Sequence, residues 1–136
     1  RIARNDAFRD HWGSQPTTTE RWERFAARPV LRADLSAVAV EGDRIVGFSL
    51  AEHDPDDAEV AGYTSVYVAL VGVVRDHRGL GIAPRVLTRT LEAARDAGLE
   101  RAVLDVDSES PTGAVGLYER LGFTTAKQSV VLERAW

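Results

Sequence analysis

The chain has 136 residues, 44% of them hydrophobic and 28% charged, enough for one globular domain with a buried core and unlike a disordered or fibrous composition. A formal net charge of -4 argues against nucleic acid and anionic membranes as partners. The absence of cysteine excludes disulfides, thiol nucleophiles and cysteine-ligated zinc. No apolar run has the length of a membrane span and no signal-peptide pattern opens the sequence, so the expected setting is cytoplasmic.

In chain order, "RIARNDAFRDHWG" reads as the end of an amphipathic helix, with Ile2, Ala3, Phe8 and Trp12 on its apolar side and Gly13 as its stop. "TTTERWERFAARP" opens with a capping-box pattern from Thr17 to Glu20, spaces Trp22, Phe25 and Ala26 as a helix does, and ends at Pro29. "LSAVAV" and "RIVGFSLAE" flank Glu41, Gly42 and Asp43, which predicts a β-hairpin with a tight turn. "HDPDDAEVAG" is an acidic loop, and "YTSVYVALVGVV" a long strand covered on both faces. "IAPRVLTRTLEAARDAG" places Ile82, Val86, Leu87, Leu91 and Ala94 on one stripe, has Pro84 in its first turn, and stops at Gly98. A short strand, "RAVLDVD", a helix, "SPTGAVGLYERLG", and one or two closing strands in "FTTAKQSVVLERAW" complete the order. This alternation predicts an α/β sheet with helices packed on its faces, in a single domain over residues 1–136.

The informative stretch is "RDHRGLGIAPRVL", residues 75–87, between the long strand and the long helix. Gly79 and Gly81 permit positive φ, so successive amides can converge on an anion while the helix N-terminus adds its partial positive charge. Arg75 and Arg78, with Arg85 and Arg89 below, supply counter-charge. A diphosphate suits such a nest. A Walker loop would need Gly-Lys-Ser/Thr, which is missing, and a dinucleotide fingerprint a third glycine where Pro84 stands.

The run Arg78-Gly79-Leu80-Gly81-Ile82-Ala83 resembles the coenzyme A loop of the GNAT acetyltransferases, and "AVGLYERLGF", residues 114–123, resembles that family's closing helix and tyrosine. The resemblance implies a mixed central sheet with helices on both faces and a splayed central strand pair. It implies acetyl-CoA as acyl donor, its diphosphate on residues 78–83 and its pantetheine arm on the backbone of Val71 and Val73. Tyr118 would protonate the departing sulfur, as a phenol of reference pKa about 10 can at neutral pH. Ser110, which stands where the family generally has an asparagine before the last helix, would by the same resemblance contact the coenzyme and can cap that helix. "NDAFRDHWG" is similar to the acceptor side of the tandem mycothiol-synthase-like members. The family's first strand is missing ahead of it and the chain opens at Arg1 without methionine, so the expectation is the later part of a longer protein, with a second such domain or a second copy as partner.

Glu52 and His53, at the end of a central strand, are the candidates for a general base, a surface role being the alternative for each. Tyr67 stands where the mycothiol-synthase-like members place a glutamate, and a phenol is a poor base at neutral pH. His11 and Trp12, the first two helices and the acidic loop would shape the pocket for a small-molecule or peptide amine. Metal is not expected: "HDPDD" fails the EF-hand count, and His11, His53 and His77 share no ligand spacing. "GFSLA" lies inside a strand and is no nucleophile elbow. Two functions compete: an acetyl-CoA-dependent N-acetyltransferase, and a degenerate coenzyme-binding domain acting as scaffold or sensor. A protein-binding module without cofactor is a third class.

Overall fold

The structure, a computed structural model, describes residues 1–10, 13–106, 113–128 and 134. Helix α1, Ile2–Ala7, is followed by α2, Thr19–Ala26. Thr18, not Thr17, caps α2: its hydroxyl accepts the Arg21 amide, because a cap serves the amide two or three places on, and the helix begins one residue later than the pattern predicts. Thr17 is instead tied by its backbone to the Asn5 side chain. Strands β1, Leu31–Glu41, and β2, Arg44–Glu52, form the expected hairpin around Gly42, whose φ of 59° meets the turn's need for a left-handed residue. The acidic segment is not all loop. It holds a one-turn helix, α3, Asp57–Ala61, closed by Gly62.

Strand β3, Ser65–Val73, leads through a single 3-10 turn, Arg75–His77, into α4, Ile82–Asp96. Strand β4, Arg101–Val103, and α5, Ala114–Arg120, follow. Residues 123–128 carry no strand, and the expected closing strands otherwise fall outside the described residues apart from Arg134.

The four strands lie in the order β1-β2-β3-β4. The first two pairings are antiparallel and the last is parallel, making a mixed sheet. Helix α4 covers one face with most of its predicted stripe: Val86, Leu87 and Ala94 are buried, joined by Thr90, while Ile82 and Leu91 are half-buried. Leu87, fully buried, contributes about 1.5–3 kcal/mol by that burial. Gly47 on β2 lets the start of α4 approach the sheet, since a Cβ there would collide with Ile82. On the opposite face, α1 sits close for the same reason: a Cβ on Gly72 would meet the Phe48 ring and Ala7. Phe8 of α1 rests on Phe48 with ring centroids 6.2 Å apart.

Two irregularities set up the functional edge. Between Leu50↔Leu70 and Ala51↔Val68 the register slips by one, which makes Ala69 a bulge in β3 and turns the strand just before the loop. Beyond that, β4 pairs with β3 only over Ser65↔Arg101, Val66↔Ala102 and Tyr67↔Val103. From residue 68 onward the two chains part, and alternate backbone groups on that side of β3 have no strand to bond. This is the splayed pair that the family resemblance implies.

Candidate active site

A cleft of about 700 Å³ opens where β3 and the segment after β4 diverge. One wall is the free side of β3, including Val71 and Val73; another is the loop before α4, with Arg78, Gly79, Gly81, Ile82 and Ala83. The far wall carries Leu117 and Tyr118 of α5, and Leu104, Asp105 and Val106 follow β4 along the floor. Helix α1 closes the remaining side with Ala7, Phe8 and, just past its end, Asp10.

The loop has the backbone that its glycines suggest. Gly79 and Gly81 stand at φ 77° and 78°, both in the left-handed region that disfavours a Cβ, and a Cβ on either would meet nothing within 4 Å. Gly81 is the N-cap of α4 and offers no side-chain cap. Among the described residues the amides of residues 79–83 make no hydrogen bond, as expected of a helix start awaiting an acceptor. Pro84 has no N–H, so its place in the first turn leaves no further donor unpaired. Leu80 projects outward, 63% exposed, and is not part of the cleft wall. Arg85 and Arg89 are exposed along α4 and also lie outside that wall.

Arg78 already has partners. Its guanidinium donates to the Ala7 carbonyl at 2.8 Å and to the Asp10 carboxylate at 3.0 Å. Asp10 also lies 3.5 Å from Arg75, and Asp6 accepts the Arg75 amide at 2.7 Å. The Arg78 hydrogen bond, with the nearby arginines, holds the Asp10 carboxyl below its ordinary pKa. His77 bridges two carboxylates, Asp76 at 2.7 Å and Glu41 at 2.5 Å. These bonds raise the His77 pKa, the Asp76 contact most. Asp76 itself, bonded first to Arg44 and then to His77, is lowered to about 2. This cluster ties the start of the loop to the β1–β2 turn.

Tyr118 faces the cleft with its ring edge-on to Phe123, centroids 5.9 Å apart. Burial raises its pKa, so at neutral pH it carries its proton. Among the described residues its hydroxyl makes no hydrogen bond.

Glu52 does not belong to this constellation. It is buried at the end of β2, 2.7 Å from the Arg28 guanidinium, and is not among the cleft-lining residues. The pairing neutralises its charge and occupies its carboxylate, so the expectation of Glu52 as base finds no geometric support. His53 is likewise engaged, its Nδ1 2.8 Å from the Ser65 carbonyl. Helix α2 and the acidic segment contribute nothing to the cleft wall among the described residues; of the first two helices only α1 does. His11, Trp12 and Ser110 fall outside the described residues.

Among the described residues two carboxylates line the cleft, Asp10 and Asp105, and sequence reading missed Asp105. Its Oδ2 accepts the Tyr67 hydroxyl at 2.9 Å. Burial, then that bond, pushes the Tyr67 phenol up to about 12, so Tyr67 serves as a donor and not as a base. The sequence carried no local signal for it: the pairing of β4 with β3, whose last pair is Tyr67↔Val103, is what brings a residue two places further on beside Tyr67.

The chain belongs to the acetyltransferase (GNAT) family, whose model matches residues 3–123. It is 29% identical over 132 residues to a mycothiol acetyltransferase of Corynebacterium efficiens, covering 97% of this chain and 42% of that one. It is 30% identical over 97 residues to N-alpha-acetyltransferase 30 of Schizosaccharomyces pombe, covering 70% and 61%. The chain thus spans less than two thirds of the length of these curated relatives. Among solved structures, an aminoglycoside acetyltransferase from an uncultured soil metagenomic sample shares the fold, with a TM-score of 0.72, 16% identity, and 99% and 87% of the two chains covered. No group of three or more potential metal ligands occurs among the described residues, and none of their helices is long and apolar enough to cross a membrane.

Proposed function

We propose that this chain is an acetyl-CoA-dependent N-acetyltransferase acting directly on the amine of a small molecule or peptide. The observation that carries the reading is the run of unpaired amides at residues 79–83, open to the same cleft as the unpaired side of β3 and the Tyr118 hydroxyl. The residues fit acetyl-CoA: converging amides and the positive end of α4 suit a diphosphate, and a bare strand edge suits the amide groups of a pantetheine arm.

When bound, acetyl-CoA supplies an activated thioester. The chain's own part is to hold, orient and protonate. Residues 79–83 hold the diphosphate, for which Arg78 is the nearest cation once a phosphate competes with Asp10 for it. Backbone groups at Val71 and Val73 keep the arm extended along β3 and fix the thioester carbonyl. Tyr118 gives its proton to the leaving sulfur. With no cysteine in the chain, no acyl-cysteine is available as a stage, and transfer runs straight to the amine. A cytoplasmic setting and a second domain or second copy beside this one complete the reading.

The test is release of free CoA from acetyl-CoA with a panel of primary amines. Tyr118→Phe is expected to slow release by about 100-fold, the low end of what positioned proton donors contribute, while CoA affinity stays within about twofold. Binding without turnover on any amine would favour a non-catalytic coenzyme-binding domain, and no binding would overturn the assignment of the loop.

A further inference from the structure

We propose that His77 is a positioning residue for the coenzyme: its imidazolium pins the start of the loop that holds the diphosphate, so that loss of one proton from the ring weakens CoA binding. The proposal rests on residues 79–83 holding that diphosphate, and adds to it a residue and a pH dependence.

Gly79 and Gly81 give the loop little stiffness of its own, so the direction of its amides depends on how the turn Arg75–His77 ahead of it is held. That turn is clamped from two sides. Toward α1, Asp6 accepts the Arg75 amide, Asp10 meets Arg75 and Arg78, and the Ala7 carbonyl accepts from Arg78. Toward the β1–β2 hairpin turn, Asp76 accepts from Arg44 at 2.9 Å and His77 meets Glu41. Of the side chains in these links, only the imidazole ordinarily changes charge near neutral pH.

Both ring nitrogens of His77 face carboxylates, Nδ1 2.7 Å from Asp76 and Nε2 2.5 Å from Glu41. The side chain is only 15% exposed and lines the cleft. An ionised carboxylate only accepts, and a neutral imidazole has one N–H. Both contacts together therefore require the imidazolium. A neutral ring sets a lone pair against one of the two carboxylates, and Glu41, which no other described residue bonds by its side chain and which is 72% exposed, is the one released. Residue 77 then loses its tie to β1, one position before the extended Arg78 and two before Gly79. The charged groups around the bridge are Glu41 from β1, Asp43 in the hairpin turn, Arg44 from β2, Arg75, Asp76 and Arg78 beside it in the chain, and Asp6 and Asp10 from the α1 side. The carboxylates outweigh the arginines, since the Asp76 and Glu41 bonds raise the His77 pKa. The tie is thus complete below the ordinary value of about 6.5 and is lost as pH climbs through the raised one. CoA affinity falls in the same direction, and by reciprocity CoA binding draws a proton onto the ring.

The experiment is calorimetric titration between about pH 6 and pH 9 with CoA and with 3′-dephospho-CoA, which lacks the phosphate monoester whose own ionisation lies near pH 6. The parent's Kd for both should rise at least about fivefold across that range, the low end of couplings between sites, with proton uptake on binding near the midpoint. His77→Gln should keep the parent's alkaline Kd throughout. In Glu41→Gln the new amide donates to Nε2 while Nδ1–H stays on Asp76, so a neutral ring closes the bridge, and Kd should stay within about twofold of the parent's acid value at every pH. A parent Kd for dephospho-CoA that is flat within about twofold, or a rise that persists in His77→Gln, overturns this proposal alone. A rise of the parent's size in Glu41→Gln also overturns it, because His77 would then act as a plain charge and not as a pin. Parent protein that binds neither ligand at any pH overturns the diphosphate reading of the loop, and this proposal with it.

Discussion

Replacing Gly81 by alanine adds a methyl group to open space, since no atom stands within 4 Å of a Cβ there. Packing therefore contributes nothing, and the effect comes from the backbone, held at φ 78°, where a Cβ costs about 1–2 kcal/mol. That energy falls in one of two places. If residue 81 stays left-handed, folding bears it and the thermal midpoint drops. If the residue relaxes to negative φ, the amides turn away and coenzyme binding bears it, because the ligand must restore the nest. The loop is exposed and its amides have no protein partner among the described residues, so relaxation is the cheaper course. At 1.4 kcal/mol per decade, the Kd for CoA rises roughly 5–30-fold.

Gly62→Ala is the matched control. Gly62 has φ 82°, an equally open Cβ position, and a place at the end of α3 away from the cleft. It pays a similar backbone cost in folding and leaves CoA affinity alone. Calorimetric titration with CoA and thermal melts on both variants check the pair. CoA binding by Gly81→Ala within about twofold of the parent, or an equal loss in Gly62→Ala, would refute the nest as the site of the diphosphate.

Glu52→Gln is expected to lower stability by about 1 kcal/mol, the buried carboxylate losing its pair with a half-exposed Arg28; acetylation per folded molecule stays near the parent's, and a rate loss of 100-fold or more would return Glu52 to the chemistry. For His77 the sign follows from its raised pKa: its contribution is complete below the unfolded value of about 6.5 and fades as pH climbs through the folded one. Asp76, lowered to about 2, works in the opposite sense, its contribution complete above its unfolded value and fading only as pH falls through about 2, so it stays charged across that range. Denaturation midpoints of the parent and His77→Gln should differ most on the acid side and converge in alkali, and a gap that widens with pH would count against the bridge.

Much of the cleft was legible before any coordinates, because local chemistry dictates it. The turn at Gly42, the buried stripe of α4, Pro84 in its first turn and the paired glycines at 79 and 81 answer to helical period, missing N–H groups and positive φ, which are properties of neighbouring residues. Helix limits at Thr18 and the single turn of α3 were less legible, since capping shifts by one residue at no change in composition. What the tertiary structure alone decided is which charges are spent. Glu52 meets Arg28, Asp10 meets Arg78 and Tyr67 meets Asp105 only through strand register, a one-residue bulge at Ala69 and the docking of α1. No short-range pattern records such meetings, because a salt bridge or hydrogen bond depends on where distant backbones pass. The left-handed glycines of the loop before α4 are thus written in the sequence, and the pairing of the described charges around the cleft is chosen by the fold.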